Sequence, residues 1–268
     1  MTSPRRSLSK VLALALLLGG LWTRVWSADP ATPATSGSDR SFLTFAEEAA
    51  VASMQWWEGQ LRYTDDSPFD TLEARLVAAF QPWKNVELGG RVGFGNTDAS
   101  GSLPDGTGAT DLDVWGKYLF AGIAQDADFA AGALVTVPTG DDTAGLGHNA
   151  WDVEVFGSVR FRTPQVIIGG LIGLGINGDG KIGGSSFSGK NSFFLGGSVI
   201  IPASDRVSFV GEIQMETERI EGSDEDFRAL AGVDWRAFAR GSLRGAAGFG
   251  LTDGAPNVQI TLGYAATF

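Results

Sequence analysis

The chain has 268 residues, 43% of them hydrophobic, and a formal net charge of -11 at pH 7. It contains no cysteine, which excludes a disulfide framework and most thiol-based metal or redox sites. Because the chain is acidic, no nucleic-acid partner is expected. Its 38 glycines and 8 tryptophans suit strands that carry small residues on one face and aromatic residues at a membrane interface.

The first 27 residues predict a secretory signal peptide. A basic start with Arg5 and Arg6 precedes an apolar run, Val11 to Leu21, that is too short to span a bilayer as a helix. We place cleavage after Ser27, with Ala28 as the alternative. The paired arginines resemble a twin-arginine signal, but an ordinary basic region is favoured because a membrane barrel crosses the inner membrane unfolded.

Residues 28–55 are interpreted as a periplasmic leader that is disordered in part. The stretch to about Arg40 is rich in Pro, Thr, Ser and Gly, a composition that indicates disorder. Phe42 to Met54 predicts either a short helix or an extended lead-in, and the sequence leaves both open.

From residue 56 onward, apolar residues alternate with polar or small ones, which is the period of a β-strand. The seventh predicted strand is apolar on both faces, so its register stays open. Connections after odd strands are acidic or glycine-rich and often long, whereas those after even strands are short. We predict about twelve strands, at residues 57–63, 72–80, 86–94, 112–120, 129–137, 151–161, 166–176, 192–201, 207–215, 227–235, 243–251 and 258–268.

The predicted fold is all-β: a transmembrane up-and-down antiparallel β-barrel over residues 56–268, with both termini in the periplasm. A soluble all-β sandwich or barrel is the alternative, because alternation alone shows only that one face is apolar. The membrane barrel is favoured by the export signal, by aromatic residues near strand ends and by the last strand. That strand ends on Phe268, with Tyr264 before it, and resembles the C-terminal signal that the barrel-assembly machinery recognises. We therefore expect the outer membrane of a Gram-negative bacterium, with outer-membrane lipids and that machinery as partners.

On this register the charged residues of the strands face the barrel interior. Two interpretations stay open: compensated ion pairs that fill a narrow lumen, or a polar pore whose opposed charges set selectivity. Small interior residues on the seventh and eighth strands favour an open lumen. The lumen-lining candidates are Glu58, Arg62, Glu73, Arg75, Glu87, Arg91, Asp113, Lys117, Glu154, Arg160, Glu212, Arg228, Asp234 and Arg244.

No catalytic, metal or cofactor site is predicted. His148 is the one candidate base, in a loop before the sixth strand, and Ser158 lies on the inward face of that strand rather than beside it. Acidic loops at residues 65–66, 141–142 and 224–226 lack a defined spacing of Ca²⁺ ligands, so solvated loop acids are the favoured account.

Several strands resemble a family of outer-membrane proteins described as transporters of the MetA-pathway of phenol degradation. Residues 111–120 are similar to its Gly-Asp-Leu-x-Leu-Gly-x-Lys-Tyr strand, although this chain has Ala109-Thr110-Asp111 where a Gly-Asp would precede the Lys-Tyr strand. Residues 135–141, 151–153 and 244–256 resemble its following strands and its C-terminus, so the resemblance covers roughly residues 72–268. It implies a channel for small, often aromatic, molecules.

We therefore expect an outer-membrane channel, similar to a porin, that passes small molecules, including aromatic or hydrophobic ones, by passive diffusion. Loops at residues 101–110, 141–149 and 177–190 are expected to gate or select. Two alternatives remain: a structural or adhesin-like barrel with a closed lumen, and a surface lipid-modifying enzyme centred on His148.

Overall fold

The structure is a computed structural model, and it describes residues 39–52, 55–66, 69–99, 105–124 and 126–268. The signal peptide expected over residues 1–27 lies outside them. The described part of the chain contains no helix that is long and apolar enough to cross a membrane.

The described residues form fifteen strands, all paired antiparallel with their neighbours. Alternating apolar and polar residues favour an extended backbone with one apolar face, and turn residues separate the runs. The strands are β1 (Trp56–Asp65), β2 (Phe69–Trp83), β3 (Val86–Ala99), β4 (Gly106–Ala109), β5 (Leu112–Ala124), β6 (Ala127–Val137), β7 (Asp152–Arg162), β8 (Ile167–Asn177), β9 (Gly180–Ile182), β10 (Ser185–Phe187), β11 (Ser192–Pro202), β12 (Val207–Glu216), β13 (Asp226–Phe238), β14 (Gly241–Gly250) and β15 (Val258–Thr267).

Twelve of these strands close into one barrel. Strand β1 pairs with β2 on one side and with β15 on the other, and the remaining barrel strands pair with their neighbours in chain order. Strand β4 pairs with the end of β3, while β9 and β10 form a small hairpin within the connection from β8 to β11. Closure leaves no free strand edge, which a membrane-spanning sheet requires. The predicted up-and-down barrel of about twelve strands is thus confirmed.

The apolar residues of the strands face outwards. Leu76 is 50% exposed, Leu174 is 55% exposed and Leu262 is 61% exposed. Such a continuous apolar exterior would be unfavourable in water but matches the hydrocarbon of a bilayer, so it does not fit the soluble alternative. The open register of the seventh predicted strand, β8, is also resolved, because Leu174 faces outwards while Ile167 is 6% exposed and packs inside.

The two ends of the barrel differ. We call "terminal rim" the end that carries Trp56, Phe268 and the short turns after β2, β5, β7, β11 and β13; the longer connections lie at the other end, the "loop rim". Asn85 and Asp126 occupy the left-handed region in two of the short turns, with φ of 66° and 60°. Asn and Asp tolerate this conformation better than other residues with a side chain, which explains their presence there.

The C-terminal aromatic residues belong to a cluster at the terminal rim. The Phe268 ring stacks on Trp57, with ring centroids 6.3 Å apart, and Tyr264 meets Trp57 edge-on at 5.6 Å. The backbone N–H of Phe268 donates to the carbonyl of Gln55 at 3.0 Å. The role of Tyr264 and Phe268 as an assembly signal stays a prediction.

Candidate functional site in the barrel lumen

Residues 39–52, which we call the internal segment, lie inside the barrel in its terminal-rim half. Ten of these fourteen residues are buried. The leader expected over residues 28–55 is described from residue 39, and this part of it lies within the lumen rather than in solvent. The physical reason is apolar contact: Phe45 stacks on Trp56, with ring centroids 4.3 Å apart, and meets the edge of Trp115 at 6.0 Å.

Glu87 on β3 is one anchor of the internal segment. Its carboxylate accepts hydrogen bonds from the Ala52 backbone N–H at 2.6 Å and from the Trp115 indole at 3.1 Å. It also pairs with the Arg40 guanidinium and the Lys117 ammonium, each at 3.2 Å. Because these groups are buried, the carboxylate is compensated by two cations and two neutral donors, which a charge away from water requires.

A second group of charges lies within the segment and against β7. Glu48 pairs with Arg40 and accepts from the backbone N–H of Ser41 at 3.1 Å and from its hydroxyl at 2.9 Å. Arg160 reaches the same carboxylate at 3.5 Å and donates to the carbonyl of Asp39. These contacts fold the segment back on itself and hold it to the wall.

Glu212 on β12 binds three consecutive backbone N–H groups of the segment. The donors are Phe42 at 2.5 Å, Leu43 at 3.1 Å and Thr44 at 3.2 Å, and the Thr44 hydroxyl adds a fourth hydrogen bond at 3.2 Å. Charge-assisted hydrogen bonds of this kind are the strong class. Glu212 therefore fixes the backbone of the segment rather than one of its side chains.

Arg244 on β14 completes the attachment. Its guanidinium pairs with Glu58 at 2.5 Å and with Asp234 at 3.1 Å. It also donates to the carbonyls of Arg40 at 2.6 Å and Ser41 at 3.1 Å. All of these groups are buried, and the contacts of Arg244 join the wall and the segment in one network of charges.

Between the internal segment and the loop rim lies a cavity of about 700 Å³, which we call the lumen cavity. Phe42, Leu43 and Glu47 of the segment contribute to its lining. The rest of the lining is mostly charged or polar side chains from the wall. The described structure thus has a closed terminal-rim half and a hollow loop-rim half.

One side of the lumen cavity is built by β1, β2, β3 and β5 and carries paired arginines. Arg75 donates to the Glu73 carboxylate at 2.9 and 3.0 Å, and Arg62 approaches the same carboxylate at 3.5 Å. Arg91 pairs with Asp113 at 2.6 Å. These pairs lie on neighbouring strands at mid-depth of the barrel.

The connection from β6 to β7 folds inward over the cavity. The Asp111 carboxylate accepts from the backbone N–H groups of Gly140 at 2.8 Å and His148 at 2.9 Å. Gly140 and Gly147 are needed there, because a Cβ on either would lie 2.8 Å from the backbone of the other. This connection is therefore held as an ordered part of the rim.

His148 sits in that connection without the partners of a catalytic base. Its Nδ1 lies 3.7 Å from Asp111 and its ring meets Phe187 edge-on at 6.3 Å. No hydrogen bond joins it to a serine hydroxyl in the described ranges. Partial burial of the imidazole, whose side chain is 44% exposed, and the guanidinium of Arg219 lower the pKa of His148.

The fourteen lumen-lining candidates divide into two groups of seven. Arg62, Glu73, Arg75, Arg91, Asp113, Glu154 and Arg228 line the lumen cavity. Glu58, Glu87, Lys117, Arg160, Glu212, Asp234 and Arg244 are buried around the internal segment. Their part in permeation stays a proposal.

Sequence reasoning missed the internal segment, the hydrogen bonds that Asp111 accepts from the inward connection, and the salt bridges of Arg219 with Asp152 and Glu216. The segment has no strand period, and its partners are far away in the chain. One signal was present: eight of the twelve residues from Ser41 to Ala52 are apolar, which is too many for a solvated leader.

No family model matches the chain, and no curated protein matches it. The resemblance to the phenol-degradation transporters therefore stays a resemblance.

The fold does match solved structures of outer-membrane barrels. The COG4313 outer membrane channel from Pseudomonas putida F1 aligns with a TM-score of 0.66 at 16% identity, over 90% of this chain and 100% of that one. The KdgM porin aligns at 0.57 with 9% identity, over 80% and 99%. The NanC porin aligns at 0.56 with 10% identity, over 80% and 100%. At such identities the likeness shows the outer-membrane barrel fold.

Proposed function

We propose that the protein is an outer-membrane channel that passes small molecules by passive diffusion and is closed, in the described state, by its own internal segment. One observation carries this proposal. The terminal-rim half of the lumen is filled by a separate stretch of chain packed among side chains of the wall, and beyond it the lumen widens into the polar lumen cavity.

The internal segment can leave without damage to the barrel. It is held by hydrogen bonds, ion pairs and apolar contacts, and the wall strands pair with one another without it. Because the strands keep their ladders, opening costs the attachment energy of the segment but no backbone hydrogen bond of the wall.

The lining of the cavity suits small solutes. Charged groups of both signs give a polar path, in which opposed charges select among permeants. Phe42 and Phe69 add two aromatic rings to the lining, and these rings, with the resemblance to phenol-degradation transporters, extend the proposal to small aromatic molecules.

A cysteine lock tests the proposal. Ala49 of the segment and Ala130 of β6 belong to one buried cluster, and the chain has no other cysteine to interfere. We expect Ala49→Cys/Ala130→Cys protein, closed by oxidation or by a short bis-thiosulfonate, to carry no current in planar bilayers and to regain current on reduction. Each single cysteine variant is the control and should ignore the redox treatment.

The second candidate function is a structural barrel with a permanently closed lumen. The buried charge network around Arg244, Glu87 and Glu212 favours it, because so many paired charges hold the segment firmly. A variant that lacks residues 39–52 separates the two candidates. If it folds but conducts no ions, the channel proposal is wrong and the structural barrel is supported.

We also propose that the terminal rim faces the periplasm, with Tyr264 and Phe268 recognised by the barrel-assembly machinery. The short turns, the start of β1 at Trp56 and the C-terminal Phe268 share that rim, as expected of an outer-membrane barrel. Lys84→Cys and Ser185→Cys place a thiol on an exposed residue of each rim. In whole cells a membrane-impermeant maleimide should label Ser185→Cys only; the reverse labelling would contradict the orientation.

A further inference from the structure

The basic side of the lumen cavity is incompletely neutralised. Glu73 is held closely by Arg75, at 2.9 and 3.0 Å, so Arg62 at 3.5 Å shares an already occupied carboxylate. With the Arg91–Asp113 pair, three guanidinium groups form salt bridges with two carboxylates on this side; Asp66 and Asp111 also line the cavity, but among the described residues neither forms a salt bridge with an arginine. A guanidinium fork without a carboxylate of its own is suited to bind an anionic group of a ligand.

The opposite imbalance exists on β7 and β12. Asp152, Glu154 and Glu216 all line the cavity. Arg219 pairs with Asp152 at 3.2 Å and with Glu216 at 3.5 Å. In the described part of the chain no salt bridge includes Glu154. This side therefore has an excess of negative charge.

Glu47 adds a third observation from the internal segment. Glu47 is 8% exposed and lines the same cavity. Its Oε2 has no hydrogen-bond partner among the described residues. A buried polar atom of this kind calls for a partner, and the cavity is where a ligand can supply one.

Arg62 and Glu154 lie across the lumen from each other. In the order of the twelve barrel strands, β1, which carries Arg62, is the first, whereas β7, which carries Glu154, is the sixth, five places round the ring. A ligand that satisfies both sides must therefore carry its positive and negative groups at opposite ends.

We propose that the lumen cavity binds a small zwitterion whose carboxylate pairs with Arg62 and whose ammonium group pairs with Glu154 and Glu47. This inference rests on the proposed channel function, because it names a class of permeant for that lumen. A cavity of about 700 Å³ is within the size of small-molecule sites. A molecule with one charge leaves one side unpaired and binds more weakly.

The test compares three probes of equal length: 5-aminopentanoate, pentanoate and pentylamine. Binding to the purified full chain in detergent micelles is measured by calorimetry, so the readout does not require conductance. We expect 5-aminopentanoate to bind about 10-fold more tightly than either singly charged probe. Arg62→Gln should reduce its affinity to that of pentylamine, and Glu154→Gln to that of pentanoate. Arg162→Gln, at the exposed end of β7, is the control and should bind like wild type.

Equal binding of the three probes, or no binding, overturns the zwitterion site. Should Arg62→Gln fail to fold, the comparison of the probes on wild type and on Glu154→Gln decides alone. Bilayer currents measured on the same samples keep the two proposals apart. Zwitterion binding without any current supports the site and refutes the channel, whereas current without zwitterion preference refutes only the site.

Discussion

Glu212→Ala is the substitution that tests most directly how the internal segment is held. It removes the acceptor of four hydrogen bonds, three of them from consecutive backbone N–H groups of Phe42, Leu43 and Thr44. Removal of one partner from a buried charged interaction costs roughly 3–5 kcal/mol. We use the lower value, about 3 kcal/mol, for the loss of attachment energy, because Glu212→Ala also removes the free-energy cost of burying the carboxylate. Since 1.4 kcal/mol is a factor of about ten, the population with the segment out of the lumen should rise about 100-fold.

Trypsin reports this population. Arg40 is 5% exposed inside the lumen, so cleavage after it requires the segment to move out. When opening and closing are fast relative to cleavage, the cleavage rate follows the open population. Folded protein in micelles is digested with trypsin, and loss of the intact chain by cleavage after Arg40 is followed by mass spectrometry. Glu216→Ala is the matched control, because it removes an acid from the same strand that does not contact the segment.

We expect trypsin to cleave Glu212→Ala after Arg40 about 100-fold faster than wild type, and to cleave Glu216→Ala at about the wild-type rate. Less than a threefold rise in Glu212→Ala, or an equal rise in both variants, would show that the hydrogen bonds of Glu212 do not hold the segment.

Three further predictions concern stability. Arg244→Ala leaves the buried carboxylates of Glu58 and Asp234 without their cation and should lower the free energy of unfolding by about 3–5 kcal/mol. The unfolding temperature, measured by the shift in gel migration on heating, should therefore fall. An unchanged unfolding temperature would refute the role of this charge network. A Cβ at Gly173 would lie 2.2 Å from the Phe194 ring, so Gly173→Ala should destabilise the barrel by about 1–3 kcal/mol in urea unfolding. Gly170→Ala is the control and should not destabilise it, because a Cβ at Gly170 points outwards and would lie 3.6 Å from Val159. Equal effects of the two substitutions would contradict the inward register of Gly173. Because burial lowers the pKa of His148, its stabilising contribution is present above pH 6.5 and declines below it; His148→Gln should therefore lose less melting temperature between pH 7.5 and 5.5 than wild type, and an equal loss would contradict this.

The predicted strands agree with the structure because their signal is local. In eleven of the twelve predicted strands an alternation of period two indicates which residues share a face, and the short turns of the terminal rim join neighbouring strands. The candidates Glu58 to Arg244 could be found in the same way, since charge on alternate positions marks one face of the sheet. The period was absent from β8, which is apolar on both faces. Only the packing of Ile167 against Ile200 and Val210 inside the barrel decided its register.

The internal segment could not be placed by such reasoning. Its residues have no period, and its contacts join Glu212 to Phe42 and Arg244 to Arg40 across most of the length of the chain. Whether Arg40 and Glu48 are solvated or buried depends on partners that only the closed barrel brings within reach. By itself the sequence determined the twelve barrel strands, their order and, except in β8, the polarity of each face, because these depend on neighbouring residues; β4, β9 and β10 lie in stretches that were expected to be loops. The tertiary structure alone decided that the lumen is closed on one half and hollow on the other, because buried charges are stable only where distant partners meet them.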